Sequence, residues 1–457
     1  MAATFLSSPV PKKARLLPCS PDPKKAVLFP GWVLLDRVGR THCYDDPDAA
    51  ASAVGDDATA VAVHTTSGQS GYLSFTLRAP PLVSYLDLHW PYGMPESMFF
   101  HPPAYPFVLS ADENHVLLRI GLRNQSREGP NIFVYTVGAS SRPLLRRLPA
   151  CTKMAQGLAG RNEFMLVDTN IGILCRSGHQ DDNYVVADLI VSWKAPRGHQ
   201  DDYFKPSQVI ASLCVFSASE GEWTVKEMLA PQPHGQGEGE FPVLWECDRV
   251  LPFAGRFLCW IDYYSGILLC DLSNDKAPVL YYKPFPGKQY PDEDHLNRGW
   301  PEAFRSVSVS QGMMRFVDID KEGGQTSGLT ITVWNFEIAG NNLTWEMQNV
   351  INLSDLWAQQ GYQFEHLPCR APEFPAVAKN DPDVLCCILR EHELFHPGKV
   401  WIITIDMKHA AFQSCFRYVG EQIVGCNEDL DMDSDCIGSL LPTDFSKFLN
   451  SPSGNYS

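Results

Sequence analysis

No two cysteines in this chain are spaced C-x-x-C, although 14 are present among 457 residues. That excludes the usual zinc-knuckle and dithiol redox signatures. Basic residues are in short supply: Lys plus Arg is 37 against 53 Asp plus Glu, for a net charge of −16. A surface that acidic repels phosphate backbones and anionic lipid headgroups, so neither nucleic acid nor a membrane is an expected partner. No apolar run reaches the roughly 18–20 residues that a membrane-spanning helix needs. The opening stretch, MAATFLSSPVPKKARLLPCSPDPKK, lacks the apolar segment of a secretory signal. Long helical periodicity is missing, and so are G-x-S-x-G, Walker and protein-kinase sequences.

Residues 1–29 read as a Pro-rich disordered arm, with loose likeness to a transit peptide and, in PKKAR, to a nuclear signal. Without an export signal the sequons at Asn124, Asn342, Asn352 and Asn455 read as chance matches. Cys259, Cys270, Cys386 and Cys387 sit in apolar runs, where cysteine acts as a small buried hydrophobe. Reduced thiols in the cytoplasm or nucleus are expected, or in an organelle if the arm is a transit peptide.

With 44% apolar and 20% charged residues the chain has the composition of a globular protein with a sizeable core. Pro and Gly, 35 and 33 of them, recur throughout and punctuate short runs rich in Val, Ile, Leu, Phe, Tyr and Trp. Five runs read as hairpins of strand, polar turn and strand, beginning at Ile132, Ser212, Gly266, Leu329 and Val400. Most are preceded by another strand pair, such as GRFLCWID before GILLCDL and DVLCCILR before VWIITID. Propeller blades, four-stranded antiparallel sheets, repeat at about 40–50 residues before loop insertions. The pattern predicts an all-β propeller of six blades, near 30–90, 107–148, 160–228, 245–285, 303–350 and 373–420. The alternative is a pair of packed β-sandwiches. Residues 30–420 form the propeller-like domain and 421–457 an acidic, partly disordered tail. Two short helices are expected, SDLWAQQG at 354–361, capped by Ser354 and stopped at Gly361, and TDFSKFLN at 443–450.

FAGRFLCWIDYYSGILLCDLSNDKAPVLYYKPFPGK resembles the core of the plant "domain of unknown function 1618" family, which is expanded in grasses. That core reads W-V-D-x-x-x-G-I-L-x-C-D and then a strand ending P-x-P. Its counterparts are Trp260, Ile261, Asp262, Gly266, Ile267, Leu268, Cys270 and Asp271, then Pro284 and Pro286, with Ile261 in place of the more usual Val. RSVSVSQGMMRFVDID and LTITVWNFEIAGNNLTWEMQNVINLSDLW resemble the strands that follow, and GWVLLDRVGR and YLDLHWP also fit. The likeness is strongest at 255–357, within a family-specific core near 245–370. It implies a propeller-like β fold and supplies no reaction and no catalytic residue.

Four polar clusters invite chemical readings. GHQDD occurs twice, with His179, Asp181 and Asp182 before the strand NYVVADLIVSW and His199, Asp201 and Asp202 after it. At about 3.3 Å per residue the strand holds the copies roughly 30 Å apart, too far for one metal ion. Gly, Asp and Asn are also what strand-connecting loops use. HELFH places His392, Glu393 and His396 in the H-E-x-x-H pattern of zinc proteases. Only nine residues separate its flanking strands, and Pro397 and Gly398 stop any helix, so a hairpin loop is the expectation. NEDLDMDSD, with Asp429, Asp431, Asp433 and Asp435, fails the calcium-loop pattern because Ser434 stands at position six and Leu440 at position twelve. HGQGEGEF at 234–241 precedes no helix, so it lacks phosphate-cradle geometry. Trp90, Trp193, Trp260, Trp300, Trp334 and Trp401 are read as blade-core aromatics, with ligand stacking at a propeller mouth as the alternative.

The sequence therefore predicts a soluble, monomeric binding module without catalytic residues, metal or cofactor. It would present rim loops to a protein or peptide partner. The rival reading is an enzyme, hydrolytic or metal-dependent, with carboxylates converging at a central channel.

Overall fold

The structure is a computed structural model. It describes residues 28–66, 68–91, 104–122, 131–138, 142–151, 168–176, 183–194, 208–229, 241–242, 244–273, 278–290, 298–324, 328–339, 342–392, 398–418 and 439–450.

Six sheets follow one another along the chain. The first holds β1 (Val33–Asp36), β2 (Arg40–Cys43), β3 (Val61–His64), β4 (Ser70–Thr76) and β5 (Val83–Trp90). The second holds β6 (Ala104–Asp112), β7 (His115–Leu122), β8 (Asn131–Thr136) and β9 (Leu144–Arg147). The third holds β10 (Ile171–Cys175), β11 (Tyr184–Lys194), β12 (Gln208–Ser217) and β13 (Glu222–Leu229). The fourth holds β14 (Arg249–Phe253), β15 (Phe257–Asp262), β16 (Gly266–Asp271) and β17 (Val279–Pro284). β18 (Arg305–Ser310), β19 (Met313–Gly324), β20 (Gly328–Ala339) and β21 (Asn342–Asn352) make the fifth. β22 (Glu373–Val377), β23 (Val384–Arg390), β24 (Val400–Asp406) and β25 (Ala411–Tyr418) make the sixth. β26 (Leu440–Thr443) returns to the first sheet and pairs antiparallel with β1.

The apolar cores show that these sheets close into a ring. Leu35, Leu88, Val116 and Phe133 pack between the first and second sheets. Ile132, Val134, Ile173 and Phe216 join the second to the third. Leu174, Leu213, Trp260 and Leu268 join the third to the fourth, and Cys259, Leu269, Phe316 and Trp334 the fourth to the fifth. Ile319, Ile331, Leu385 and Ile403 join the fifth to the sixth. Leu34, Tyr85, Phe374 and Ile388 then join the sixth to the first. Each sheet is thus covered on both faces by its neighbours. That is why middle strands are apolar in unbroken runs rather than alternating. In GILLCD, Ile267 and Leu269 face one neighbour, and Leu268 and Cys270 the other. The cysteines of these runs serve as small core residues. The protein is an all-β propeller of six blades, as the sequence predicts.

Two features depart from the simple repeat. Five sheets are four-stranded and antiparallel, whereas the first is six-stranded. There β1 and β2 lie end to end and both pair in parallel with β5, through Leu34↔Val83 and Arg40↔Asp87. The propeller also extends past residue 420. β26 and the short 3-10 helix Phe445–Asn450 belong to the first blade, with Phe445 completely buried in its core. The apolar Leu440, Leu441 and Phe445 explain why this part of the expected tail folds.

Helix α1 (Pro47–Val54) joins β2 to β3 and was not foreseen. Its signals are local: the Asp46 carboxylate accepts from Ala49 N–H, Pro47 opens the first turn, and Gly55 ends it. The segment at 354–361 forms two short helices, α2 (Leu353–Trp357) and α3 (Gln360–Phe364). Asn352, not Ser354, caps the first, accepting from Ser354 N–H at 3.0 Å, and Gly361 lies inside the second rather than stopping the first. Among the described residues no helix is long and apolar enough to cross a membrane.

Candidate functional site

The inner strands β6, β10, β14, β18, β22 and β26 face the axis, and most touch in succession. Where they begin, a cavity of about 390 Å³ opens at the mouth of the central channel. Every blade lines it. Arg37 follows β1, Phe107 and Arg119 come from the second blade, and Asp168 and Thr169 precede β10. Glu246, Cys247 and Asp248 precede β14, Trp300 and Glu302 precede β18, Phe374 opens β22, and Ser439 precedes β26. The third, fourth and fifth blades thus contribute the residues that lead into them, and the second contributes from within its strands.

Charge of both signs is concentrated here, mostly as ion pairs. Arg119 meets Asp168 at 2.6 Å, and Arg37 meets Glu302 at 3.5 Å. Arg37 also donates through Nε to the Val108 carbonyl at 3.1 Å and lies over the Phe107 ring. Burial lowers the Arg37 pKa, Glu302 opposes that shift, and nearby Arg249 adds to it. Arg249 donates to the Leu440 carbonyl at 2.9 Å, which fixes the returning strand β26 at the axis.

The densest knot is Arg298. Its guanidinium bonds Asp248 through Nε at 3.3 Å and again through Nη2, Asp262 at 2.8 Å, and the Glu246 carbonyl at 3.2 Å. It lies 4.9 Å over the Tyr264 ring. Burial alone would lower the Arg298 pKa, but Asp248 and Asp262 more than offset it, and the net shift is upward. Burial pushes the Asp248 carboxyl up to about 7, with Arg298 and the Tyr263 N–H pulling the other way. Burial likewise raises Asp168 against the pull of Arg119 and Arg37.

The residues of the family-like core build this corner. Asp262 ends β15 and is completely buried. It accepts from Tyr264 N–H at 3.0 Å, Ser265 hydroxyl at 2.9 Å and Glu246 N–H at 3.2 Å, besides Arg298. Trp260 donates its indole N–H to the Asn170 carbonyl at 2.6 Å, tying the fourth blade to the connection that enters the third. At Gly266 a Cβ would stand 2.3 Å from the Lys283 carbonyl oxygen, so β17 can approach only a glycine. One step round the ring, fully buried Arg305 grips Asp318 at 2.8 Å and the Tyr263 carbonyl at 2.8 Å.

Of the residues singled out from sequence, Trp300 stands at this cavity, and most of the others lie outside the described residues. His392 is exposed just beyond β23, and Glu393 and His396 lie outside the described residues. The base of that connection is paired, Glu391 N–H donating to the Lys399 carbonyl at 2.9 Å. His179, Asp181, Asp182, His199, Asp201, Asp202, Asp429, Asp431, Asp433 and Asp435 lie outside the described residues, as do 234–240 of HGQGEGEF. The strand between the two GHQDD copies is β11, paired along its length with β12. Trp90, Trp260 and Trp334 are core residues, and Trp401 packs partly buried in the core between the fifth and sixth blades. The side chain of Trp193 lies outside the described set. Trp300 corrects the core expectation: it is 53% exposed and stands at the cavity. It caps the short 3-10 helix Pro301–Ala303 that leads into β18. The arginines were missed altogether. No common position marks them, since Arg37 follows β1, Arg119 lies within β7, and Arg249 and Arg305 open β14 and β18. Among the described residues no three His, Cys, Asp or Glu side chains stand close enough to share a metal ion.

Among solved structures, phage phi92 endosialidase aligns at a TM-score of 0.32 and 8% identity, over 81% of this chain and 64% of that one. The chain thus spans under two thirds of that protein. MPT-1, a GDP-Man-dependent mannosyltransferase from Leishmania mexicana, aligns at 0.19 and 12% identity, over 68% of this chain and 82% of that one. No curated protein matches the chain. The residues that fasten the fourth blade and Arg298 to the channel mouth open a longer match: residues 260–386 fit the family described as "Protein of unknown function (DUF1618)", and the resemblance is to that family.

Proposed function

We propose that the protein is a binding module whose channel mouth receives a short polypeptide segment carrying charge and an aromatic or apolar side chain. One observation carries the reading: one cavity, lined from all six blades, is walled by preformed Arg–carboxylate pairs and by the exposed Trp300. Its volume of about 390 Å³ falls at the lower end of ligand-site volumes, which run about 300–1,000 Å³. It suits a few side chains rather than a folded domain. An exposed tryptophan with arginines is the composition of an interface hot spot. Nor is the thiol in the described lining an activated nucleophile. The Cys247 thiol is spent on the Thr169 and Arg249 carbonyls, and burial raises its pKa.

A second reading, an acid–base enzyme, has one observation behind it. Asp248 is a cavity-wall carboxyl titrating near 7, where a general acid or base works best.

Panning a random-peptide display library on the immobilised full chain separates the two. Enriched peptides titrated by calorimetry should lose about 30-fold in affinity with Trp300→Ala, the scale of a hot-spot truncation. Unchanged affinity in that variant, or a hydrolase screen giving turnover that Asp248→Asn abolishes, overturns the binding-module reading.

A further inference from the structure

Away from the channel, the core between the second and third blades holds two thiols in contact. Cys151 follows β9 in the connection leaving the second blade, and Cys214 lies in the middle of β12. Their sulfurs are 3.0 Å apart. That is inside the about 3.5–4.0 Å of ordinary non-bonded carbon contacts, and a disulfide needs about 2.05 Å. A shift of roughly 1 Å therefore suffices to close a bond. Both positions are held by firm framework. Leu148 N–H donates to the Ile132 carbonyl at 2.9 Å, and the Trp223 indole donates to the Pro149 carbonyl at 2.7 Å, so the chain leading into Cys151 is pinned at two successive residues. Cys214 is registered between Asp188 on β11 and Val225 on β13.

Four cysteines in other strands differ. Cys386 and Cys387 are adjacent and face opposite cores, and Cys259 and Cys270 also face opposite cores. They behave as packing residues. The Cys151–Cys214 contact joins positions 63 residues apart across a blade boundary, where a covalent link would fasten one blade's exit to the body of the next.

We propose that Cys151 and Cys214 form a reversible, peroxide-sensitive disulfide that staples the second blade's exit to the third blade. Cys151 reacts first, because it is 5% exposed while Cys214 is fully covered. Its sulfur attacks hydrogen peroxide, the O–O bond breaks, and a sulfenic acid and one water form. The Cys214 sulfur then attacks the sulfenic sulfur, the S–O bond breaks, the S–S bond forms, and a second water leaves. Two thiols are oxidised, one peroxide is reduced to two waters, and both thiol protons end in those waters.

The test is peptide mapping of the full chain without reductant, after hydrogen peroxide and alkylation. The expected result is a cross-linked Cys151–Cys214 peptide as the main oxidised species, reversed by dithiothreitol and absent from Cys151→Ser and Cys214→Ser. Oxidised wild type should also melt at a higher temperature, a shift that both variants lose. Wild type alone decides if a variant fails to fold. Recovery of both thiols as free, their separate conversion to sulfinic acids, or a bridge from either to another cysteine overturns the proposal.

Discussion

Arg298 touches Asp248, Asp262 and the Glu246 carbonyl, and one of those carboxylates has no contact with water. Removing the guanidinium strands a buried negative charge. Arg298→Met should cost about 3–5 kcal/mol, the range for breaking a buried pair from one side, and thermal unfolding measures it. Arg298→Lys should recover only part, because an ammonium is a point charge and cannot fork between two carboxylates. A second residue-scale effect concerns His89. Its ring bonds Ser74 at 3.0 Å and Tyr44 at 3.0 Å and stacks on His42, which bonds Asp87 at 2.9 Å. Burial lowers the His89 pKa and His42 adds to that, while Asp87 and Asp57 oppose. Between its folded pKa and the unfolded value of about 6.5, the unfolded chain binds more protons. His89's contribution to stability is therefore present above about 6.5 and lost as pH falls through that window. Asp248, raised to about 7, acts in the opposite sense, its protonated folded form favouring stability below that pH. His89→Gln should flatten the fall in melting temperature below pH 6.5; an unchanged slope would assign that fall to other groups. None of these partnerships was visible in the sequence. Arg298 lies 50 residues from Asp248, and no local pattern marks which acid an arginine will meet.

At the scale of the element, the strands were readable and their exceptions were not. The hairpins beginning at Gly266 and Val400 are β16–β17 and β24–β25, because apolar runs bounded by Gly, Asp and Pro have few other solutions. What escaped was the first sheet, where β2 pairs in parallel with β5 across a span that includes α1. Antiparallel neighbours announce themselves through a short turn, and parallel ones do not. Gly266 illustrates how a legible motif acquires a reason only in three dimensions. Gly266→Ala should push β17 away from β16 and cost about 1–3 kcal/mol, as overpacking does. Hydrogen exchange should show faster exchange of the Val279–Pro284 amides; protection equal to wild type would mean that the strands absorb the methyl group.

For the molecule as a whole, the ring was legible because each blade repeats the same pattern, whereas the mouth was not. A net charge of −16 describes the surface in aggregate. It conceals that Arg37, Arg119, Arg249, Arg298 and Arg305 gather round one axis, since convergence of residues from separate blades is a product of closure. Trp300 was misplaced for the same reason: a tryptophan before a strand looks the same whether it points into a blade or over a channel.

Closure has a further consequence for how the protein is made. The first blade receives its last strand from residues 440–443, so a chain emerging from the ribosome can fold its middle blades in turn while β1, already paired with β5, waits for its second neighbour. Until that strand is synthesised, the seam between the sixth and first blades lacks Leu440 and the first blade its innermost strand.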